Sequence, residues 1–476
     1  MIARADQGTV PRSRRLGLGR FRLRYAPTDD RSRGLTRGLG AWTGAAVIVG
    51  TMIGTGIFLM PSEVARSTGS VRLALLAWVV GGALSLFGAM SYVELGASLP
   101  DAGADYTWLS RARLPLLGYL YGWRGFILST PASMASYAAA IALFSSYLWP
   151  SLAQPIARAG PVDLTVGKLL ALGLIVAITV LNFLSVRVVG RFQLVLSAFK
   201  ALTLVAVIAA GLTAVGRPKP AGAEVLLEQA TYAGFLGALT AVLWAYSGWH
   251  GLLRLGSEIR DPARTVPRAM FGGFGFTAIL FLLVNLACFA ALGFGGVAGT
   301  STPVSDALER TLGANAADWL TLTMIVSVMG TMNANLLSAA RVPYAMAQDG
   351  YFSKSLAGLG PNSRAPVVSV AVPALVATVL VTTGSFREIS AFVVFLQWSF
   401  YALGMLALFR LRRLEPELPR PVRAWGYPIV PATFMFMAAT LTVYLVLSDP
   451  VRSGLGVGLV LLGLFFYRRR PLAQLG

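Results

Sequence analysis

Two glycine-rich clusters contain the residues of this sequence that are best suited to bind a small molecule. Residues 50–58 read GTMIGTGIF, residues 244–251 read WAYSGWHG, and each cluster lies inside a long apolar segment. Glycine allows a helix to unwind and allows the backbone to approach a ligand closely. Unwound backbone in an apolar segment is tolerated where it is buried in protein or lines a cavity. Each cluster therefore predicts a helix break beside a cavity.

The two breaks would offer complementary partners to a zwitterion. Freed N–H groups after the first break begin a new half-helix, whose dipole favours an anion, while freed carbonyl groups favour a cation such as an ammonium. An α-amino acid carries both charges. The sequence places no acidic or basic side chain in this pocket, so we expect recognition through the backbone. The predicted substrate-binding residues at the breaks are Ile53, Gly54, Thr55, Gly56, Ala245, Tyr246 and Ser247.

Lys200 is the charged side chain with the most informative position. It follows Arg191 by nine residues in an apolar segment, hence about 13 Å deeper at a rise of about 1.5 Å per residue. A lysine at the centre of a membrane helix costs roughly 2.5–3.5 kcal/mol on insertion scales. Two interpretations are open: the ammonium reaches back to the membrane surface along its flexible stem, or it stays buried for a functional reason.

Three other polar side chains in or beside apolar segments are also informative. Glu94 fits either a structural pair with an arginine of an intracellular loop, which we favour, or a contact with the substrate. Glu258 fits either a gating ion pair or a solvated helix end. His250 fits either a satisfied polar core residue or a pH-sensitive contact.

The sequence has one cysteine, Cys288, and one histidine, His250. A single cysteine excludes an internal disulfide, and this pair is too small a set for a Cys/His zinc site. Catalysis of the Ser-His or Cys-His type would have to use His250. We therefore predict no catalytic residue, no metal site and no cofactor.

The composition indicates a membrane protein that crosses the bilayer many times. Of 476 residues, 56% are hydrophobic and 13% are charged, against roughly 25% charged residues in soluble domains. Apolar runs long enough to cross a bilayer recur along the chain. The fold class is thus predicted as an all-α polytopic bundle of about twelve transmembrane helices. They lie near residues 41–66, 73–98, 117–149, 167–186, 190–215, 231–257, 268–294, 317–346, 366–383, 389–411, 426–447 and 453–468.

Basic residues set the predicted orientation of the chain. The formal net charge is +20, from 40 Lys and Arg against 20 Asp and Glu. Most of the basic residues fall in residues 1–39 and in the loops on the same side as both termini, which predicts cytoplasmic termini. Residues 1–39 read as a disordered basic tail. Because the charge is spread between apolar runs, we expect no nucleic-acid partner.

The positions of the breaks favour a secondary transporter. They fall in spans one and six, so each opens a set of five spans, as in transporters with inverted repeats. Close helix packing through small residues is the alternative explanation for the glycines. A membrane-embedded enzyme would need facing catalytic groups, and a channel would need a continuous polar ring. Both are less favoured by this pattern.

The chain resembles bacterial members of the amino acid–polyamine–organocation (APC) superfamily, in particular the L-type and cationic amino acid transporter branches. The motifs carrying the resemblance are IGTGIF at 53–58, YVEL at 92–95, LPDAGADY at 99–106, AYSGW at 245–249, SEIRDP at 257–262, VPRA at 266–269, SAAR at 338–341 and AMAQDG at 345–350.

This resemblance implies the five-plus-five inverted-repeat fold first described for the leucine transporter. Broken helices one and six would hold the substrate, helices three and eight would complete the cavity, and the last two helices would be peripheral. The first repeat would then span residues 40–215, the second 231–411, and the peripheral helices 423–470.

The resemblance also implies secondary active transport of amino acids by alternating access, sodium-independent and driven by protons or by exchange. Trp244 would be a gate over the substrate, and Lys200 would replace a sodium ion and couple proton movement. The predicted cavity and gating residues also include Thr130, Ser133 and Glu258. A polyamine or other organic cation is the alternative cargo.

The predicted partners are an amino acid, protons and the lipid bilayer. We expect the inner membrane of a bacterium as the location. The loop between spans three and four has no cysteine, so no disulfide-linked heavy chain, as in animal L-type transporters, is expected.

Overall fold

The computed structural model describes residues 35–159, 162–218, 232–383 and 386–467. Residues 1–34 of the predicted basic tail lie outside this part. The α-helices are α1 Ala41–Met52, α2 Thr55–Thr68, α3 Val71–Ser98, α4 Asp105–Arg111, α5 Pro115–Arg124, α6 Thr130–Leu148, α7 Val166–Leu181, α8 Val186–Leu212, α9 Tyr232–Ala245, α10 Pro262–Gly299, α11 Pro303–Leu312, α12 Ala314–Ala339, α13 Arg341–Gln348, α14 Val367–Thr383, α15 Phe386–Leu414, α16 Ile429–Ser448 and α17 Pro450–Phe466.

Every predicted span coincides with a helix or with a pair of helices. Among the residues described, six helices are long and apolar enough to cross a membrane, or seven if the bent pair α1 and α2 counts as one span. Four shorter apolar helices accompany them, in α7, α9, α14 and α17. The protein is therefore a multi-pass helical membrane protein, while the total of twelve spans and the inverted repeat stay predictions.

Local sequence signals explain where several helices begin and end. The Ser70 side chain caps α3 by accepting a hydrogen bond from the N–H of Leu73 at 3.2 Å, which satisfies one of the free donors of a helix start. Gly69, with φ of 69°, ends α2 in the left-handed conformation that glycine adopts without strain. Short connections of this kind keep consecutive helices close together.

The all-α expectation needs one correction. Two short strands, β1 Pro155–Ala159 and β2 Val162–Thr165, pair antiparallel in the connection between α6 and α7. The register places Ala157 opposite Leu164, with an irregularity between Pro155 and Ala157. Runs of four or five residues are too short to stand out in a search for membrane spans, although the Gly-Pro pair between the strands is a turn signal.

The helix α1 lies at the centre of the bundle, where it packs against α8, α10 and α12. α6 packs against α12 and α15, and α2 packs against α9. The first predicted break joins α1 to α2, and the second follows α9. The packing thus places both breaks in the interior, next to α6, α8 and α12.

Candidate functional site

The first break separates α1 from α2 by two non-helical residues, Ile53 and Gly54, and the two helices are bent by 44°. No side chain caps the start of α2, so its first N–H groups keep the positive end of a helix dipole. A Cβ atom on Gly56 would lie 2.6 Å from the Cα of Ala245. Only glycine lets the two breaks touch at this point.

Lys200 fills the first break with a positive charge. Its side chain is buried, and its Nζ donates hydrogen bonds to the carbonyl oxygens of Gly50 at 2.8 Å and Ile53 at 2.7 Å. It also donates to Oγ1 of Thr331 at 2.8 Å, and that hydroxyl donates to the Ile53 carbonyl at 2.9 Å. Snorkelling to the surface is thus excluded for Lys200. The cation that the Ile53 carbonyl accepts here is the protein's own ammonium.

A chain of buried amides holds α8 and α12 beside this break. Asn182 donates to the side-chain carbonyl of Asn333 at 2.8 Å, and Asn333 donates to that of Gln193 at 2.8 Å. Gln193 then donates to Ser197 at 3.1 Å, whose hydroxyl donates to the Ala46 carbonyl at 2.7 Å. Because both Gln193 and Ser197 lie on the helix that carries Lys200, this chain fixes the position of its ammonium.

The second break begins where α9 ends at Ala245 and continues into a 3₁₀ helix over Trp249–Arg254. Gly248 adopts φ of 104°, and a Cβ there would lie 2.9 Å from the carbonyl oxygen of Thr51. The Thr51 hydroxyl donates to the Gly248 carbonyl at 3.0 Å. The glycine-rich sequence therefore unwinds the chain here as predicted and brings it against the end of α1.

A small cavity of about 50 Å³ lies beside the second break. Four predicted residues line it: Trp244, Ser247, Thr130 and Ser133. The predicted residues that the structure places elsewhere in the described bundle are Ile53, Gly54, Thr55, Gly56, Ala245, Tyr246, Lys200 and Glu258. The remaining lining residues are Thr51, Arg124, Gly125, Ser129, Tyr137, Gly248, His250, Arg254, Asn335, Gln397 and Trp398.

The expectation that no charged side chain enters the pocket is wrong. Arg124, at the end of α5, and Arg254, at the end of the 3₁₀ helix, both line the cavity and are 0% and 7% exposed. The guanidinium carbon of Arg124 lies 5.0 Å from the ring centre of Tyr121 and 4.7 Å from that of Phe400. From the sequence, Arg254 is expected near the cytoplasmic end of the predicted span 231–257. The unwound segment instead carries it back into the bundle.

His250 is held between Arg254, which lines the cavity, and Tyr401, which does not. Its Nε2 lies 2.8 Å from Nη2 of Arg254, and its Nδ1 lies 2.6 Å from the hydroxyl of Tyr401. A guanidinium only donates hydrogen bonds, so Nε2 must accept and the imidazole must be neutral. Among the two interpretations of His250, the structure shows the satisfied polar core residue.

Glu258 and Arg341 form a buried ion pair. Nε and Nη2 of Arg341 donate to the two carboxylate oxygens of Glu258 at 2.7 and 2.8 Å, and both side chains are 2% exposed. Burial removes the alternative of a solvated helix end. Bidentate geometry of this kind gives a strong and directional contact.

Backbone contacts close the same end of the bundle around this ion pair. The N–H groups of Gly38 and Leu39 donate to the carbonyl of Glu258 at 2.9 and 3.0 Å, and Arg260 donates to the Leu39 carbonyl at 2.9 Å. The Ser257 hydroxyl accepts from the N–H of Ala102 at 2.8 Å. The segment after the second break is therefore tied to the chain before α1 and to the loop after α3.

Glu94 forms the structural pair that the sequence predicted. Its carboxylate accepts from Nε of Arg412 at 2.9 Å, lies 3.2 Å from Nε of Arg420, and accepts from the N–H of Ala424 at 2.6 Å. These partners come from the end of α15 and from the connection that follows it.

Several residues of the site were not predicted from the sequence. They are Arg124, Arg254, Thr331, Tyr121, Tyr401 and Arg341. Arg124 gave one signal, since it stands inside a predicted span. The hydroxyl residues gave none, because their partners are more than a hundred residues away along the chain.

Comparison with known proteins finds a family model and similar transporters over most of the chain. The family model described as amino acid permease matches residues 39–465. The chain is 29% identical over 423 residues to b(0,+)-type amino acid transporter 1 of Oryctolagus cuniculus, covering 87% of this chain and 83% of that protein. It is 26% identical over 452 residues to Asc-type amino acid transporter 1 of Mus musculus, covering 92% and 83%. It is also 27% identical over 431 residues to the cystine/glutamate transporter of Homo sapiens, covering 89% and 83%.

Proposed function

The chain belongs to the amino acid permease family of the amino acid–polyamine–organocation superfamily, and from this premise we propose that it is a sodium-independent secondary transporter of α-amino acids. The relatives are named as amino acid transporters, which supports amino acid transport in general. Substrate would bind at the two breaks, with its carboxylate at the start of α2 and its side chain in the adjoining cavity. The α-amino group would face the unwound backbone at 245–247.

The observation that carries sodium independence is the coordination of Lys200. Three oxygens at 2.7–2.8 Å surround its Nζ, two of them main-chain carbonyls at the break. Carbonyl and hydroxyl oxygens at a broken helix are the groups with which transporters bind Na⁺. The ammonium of Lys200 takes that place, so the protein needs no sodium ion to satisfy these groups. A lysine can also release a proton, which a sodium site cannot.

Alternating access needs a barrier on each side of the substrate. On the side that the basic residues assign to the cytoplasm, the Glu258–Arg341 pair and the backbone bonds around it form that barrier. On the other side, Trp244 lies half-buried at the cavity wall and would close over the substrate. Rocking of one half of the bundle against the other would open these barriers in turn.

Uptake of labelled amino acids into liposomes containing the purified protein tests the proposal. We expect accumulation of at least one α-amino acid with no requirement for Na⁺. Accumulation that follows an imposed pH gradient would indicate proton coupling, and accumulation only with amino acid inside would indicate exchange. Absence of uptake for every common α-amino acid under both conditions would refute the function, and a strict need for Na⁺ would refute the role of Lys200.

A further inference from the structure

The cavity beside the second break carries concentrated positive charge. Arg124 and Arg254 are its charged lining residues, and no Asp or Glu is among the described residues that line it. Removing a guanidinium from water is costly unless an anion or a set of hydrogen bonds compensates. Two buried cations at one cavity in a membrane protein indicate a functional site.

The hydrogen-bond partners of Arg254 do not cancel its charge. Its Nη2 donates to the hydroxyl of Tyr121 at 2.9 Å and to His250 at 2.8 Å. Both partners are neutral, since the imidazole must accept this bond and therefore carries no proton on that nitrogen. Arg254 keeps its full charge while its orientation is fixed.

Tyr121 brings the two cations together. Its ring centre lies 5.0 Å from the guanidinium carbon of Arg124 and 5.9 Å from that of Arg254. An aromatic face attracts each cation, which offsets part of their mutual repulsion. An anion placed between the guanidinium groups would offset it far more.

The carboxyl group of Asp105, whose charge acts on Arg254, lies outside the cavity lining. Asp105 is buried at the start of α4 and does not line the cavity. Burial raises the pKa of the Asp105 carboxyl, against the hydroxyl of Tyr92 and the charge of Arg254, which lower it. Asp105 acts on Arg254 from outside the lining, and the described lining residues themselves include no acidic side chain.

Resting on the proposed transport function, we propose that this cavity selects α-amino acids whose side chain carries a carboxylate, with Arg124 and Arg254 as the residues that bind it. A guanidinium binds a carboxylate through two parallel hydrogen bonds, and an aspartate or glutamate side chain would neutralise the pair. The same field repels lysine, arginine and polyamines. The alternative cargo of an organic cation is therefore disfavoured by the lining of the cavity.

Binding of isosteric pairs tests the selection. Thermal shift and calorimetry on the purified full chain would compare L-glutamate with L-glutamine, and L-aspartate with L-asparagine, alongside L-arginine and spermidine. We expect each acid to bind at least about tenfold more tightly than its amide, because hydrogen bonds between charged groups are the stronger ones. Arginine and spermidine should give no shift.

Variants test the two residues. Arg124→Gln and Arg254→Gln should each weaken glutamate binding about tenfold or more and should bring the ratio of glutamate to glutamine affinity close to one, a loss of preference that general damage to the fold would not produce. Arg254→Lys should recover part of the affinity, because it restores the charge without the fork geometry. Arg66→Gln, on an exposed arginine that does not line the cavity, is the matched control and should bind like the wild type.

The outcomes separate this inference from the transport function. Equal binding of glutamate and glutamine, or preferred binding of a cationic amino acid, would overturn the selection while leaving amino acid transport intact. Preferred glutamate binding that survives Arg124→Gln and Arg254→Gln in monodisperse protein would overturn the assignment of these residues. If no amino acid binds or is taken up by the wild type, the proposed function itself fails. If a glutamine variant does not fold, the acid–amide comparison on the wild type and the lysine variant still decide.

Discussion

The two helix breaks touch each other at Gly56 and Ala245, yet they differ in whether their buried positive charges face protein groups or a cavity. At the first break the protein supplies its own cation, since the ammonium of Lys200 donates hydrogen bonds to the carbonyl oxygens of Gly50 and Ile53. At the second break the cations line a cavity, where Arg124 and Arg254 face space that a ligand can enter. The first break is thus internally satisfied, and the second is built to be completed by an anion.

This difference assigns coupling and side-chain selection to different breaks, whereas the sequence predicts one binding site made by both breaks. From the sequence, both glycine clusters were predicted to offer free backbone groups to one zwitterionic substrate. The structure gives the carbonyl side of the first break to Lys200, and leaves the start of α2 without a capping side chain. Coupling is therefore expected to depend on the first break and side-chain selection on the second.

The largest expected effect on transport comes from removing the cation of the first break. Lys200→Ala leaves the Gly50 carbonyl, one of the last carbonyls of α1, without its partner, and a buried unsatisfied group costs about 1–3 kcal/mol. The gap also frees the bend between α1 and α2. We expect uptake in liposomes to fall to background, with loss of any response to a pH gradient.

Arg191→Ala is the matched control for this variant, because Arg191 lies on the same helix and is exposed. It should retain uptake close to that of the wild type. Full pH-driven uptake by Lys200→Ala would show that the first break needs no internal cation, and the contrast between the two breaks would then disappear.

The next effect concerns the segment that leaves the second break. Glu258→Gln removes one charge of a pair in which both partners are 2% exposed, and breaking a buried pair on one side costs about 3–5 kcal/mol. Thermal unfolding of the purified protein should show a clear loss of stability. Glu63→Gln breaks the exposed pair with Arg66 and should cost about 0–1 kcal/mol.

An accessibility measurement links this pair to gating. In a Cys288→Ala background, Ser247→Cys reports on the cavity, and Glu258→Gln should increase its labelling from the side on which the ion pair lies. Unchanged labelling together with reduced stability would mean that the pair supports the fold without acting as a barrier.

The residues of the first break could be predicted from the sequence more completely than those of the second, for physical reasons. The glycine clusters and the depth of Lys200 are local features, so they could be read along the chain. Thr331 contacts Lys200 across 131 positions, and a pattern along one segment carries no sign of that pairing. The spans were found because apolar runs are local as well.

Charges were harder to place than helices. Arg254 and Arg341 lie near the ends of the predicted spans 231–257 and 317–346, where basic residues indicate topology, yet both are buried. The burial of Arg254 depends on the direction in which the unwound segment turns. Packing of that segment against Thr51 and against the loop after α3 sets this direction. The short helix α4 and the β1–β2 pair were missed because neither spans a membrane.

Glycine substitutions compare the backbones of the two breaks directly. Gly248 has φ of 104° and faces the backbone of Thr51, whereas Gly54 has φ of −135° and would meet the side chain of Thr331 at 3.1 Å. Left-handed backbone costs about 1–2 kcal/mol for alanine, and overlap with fixed backbone adds to it. Gly248→Ala should destabilise by about 2–3 kcal/mol and Gly54→Ala by about 1 kcal/mol in thermal unfolding. Equal losses would show that the two breaks are equally tight.

The smallest expected effect on transport comes from Tyr401→Phe at the second break, which is best compared with Thr331→Val at the first. Thr331→Val removes a hydrogen bond from a charged ammonium, worth about 1.5–3 kcal/mol, whereas Tyr401→Phe removes one to the neutral imidazole of His250, worth about 1 kcal/mol. Thr331→Val should therefore lower both stability and uptake, while Tyr401→Phe should lower stability slightly and leave the maximal rate of uptake nearly unchanged. A larger loss for Tyr401→Phe than for Thr331→Val would mean that the imidazole of His250 is protonated. A protonated imidazole cannot accept the hydrogen bond from Arg254, so the second break would then have a different arrangement during transport. Measuring both variants at the same pH, by unfolding and by uptake, distinguishes these two arrangements.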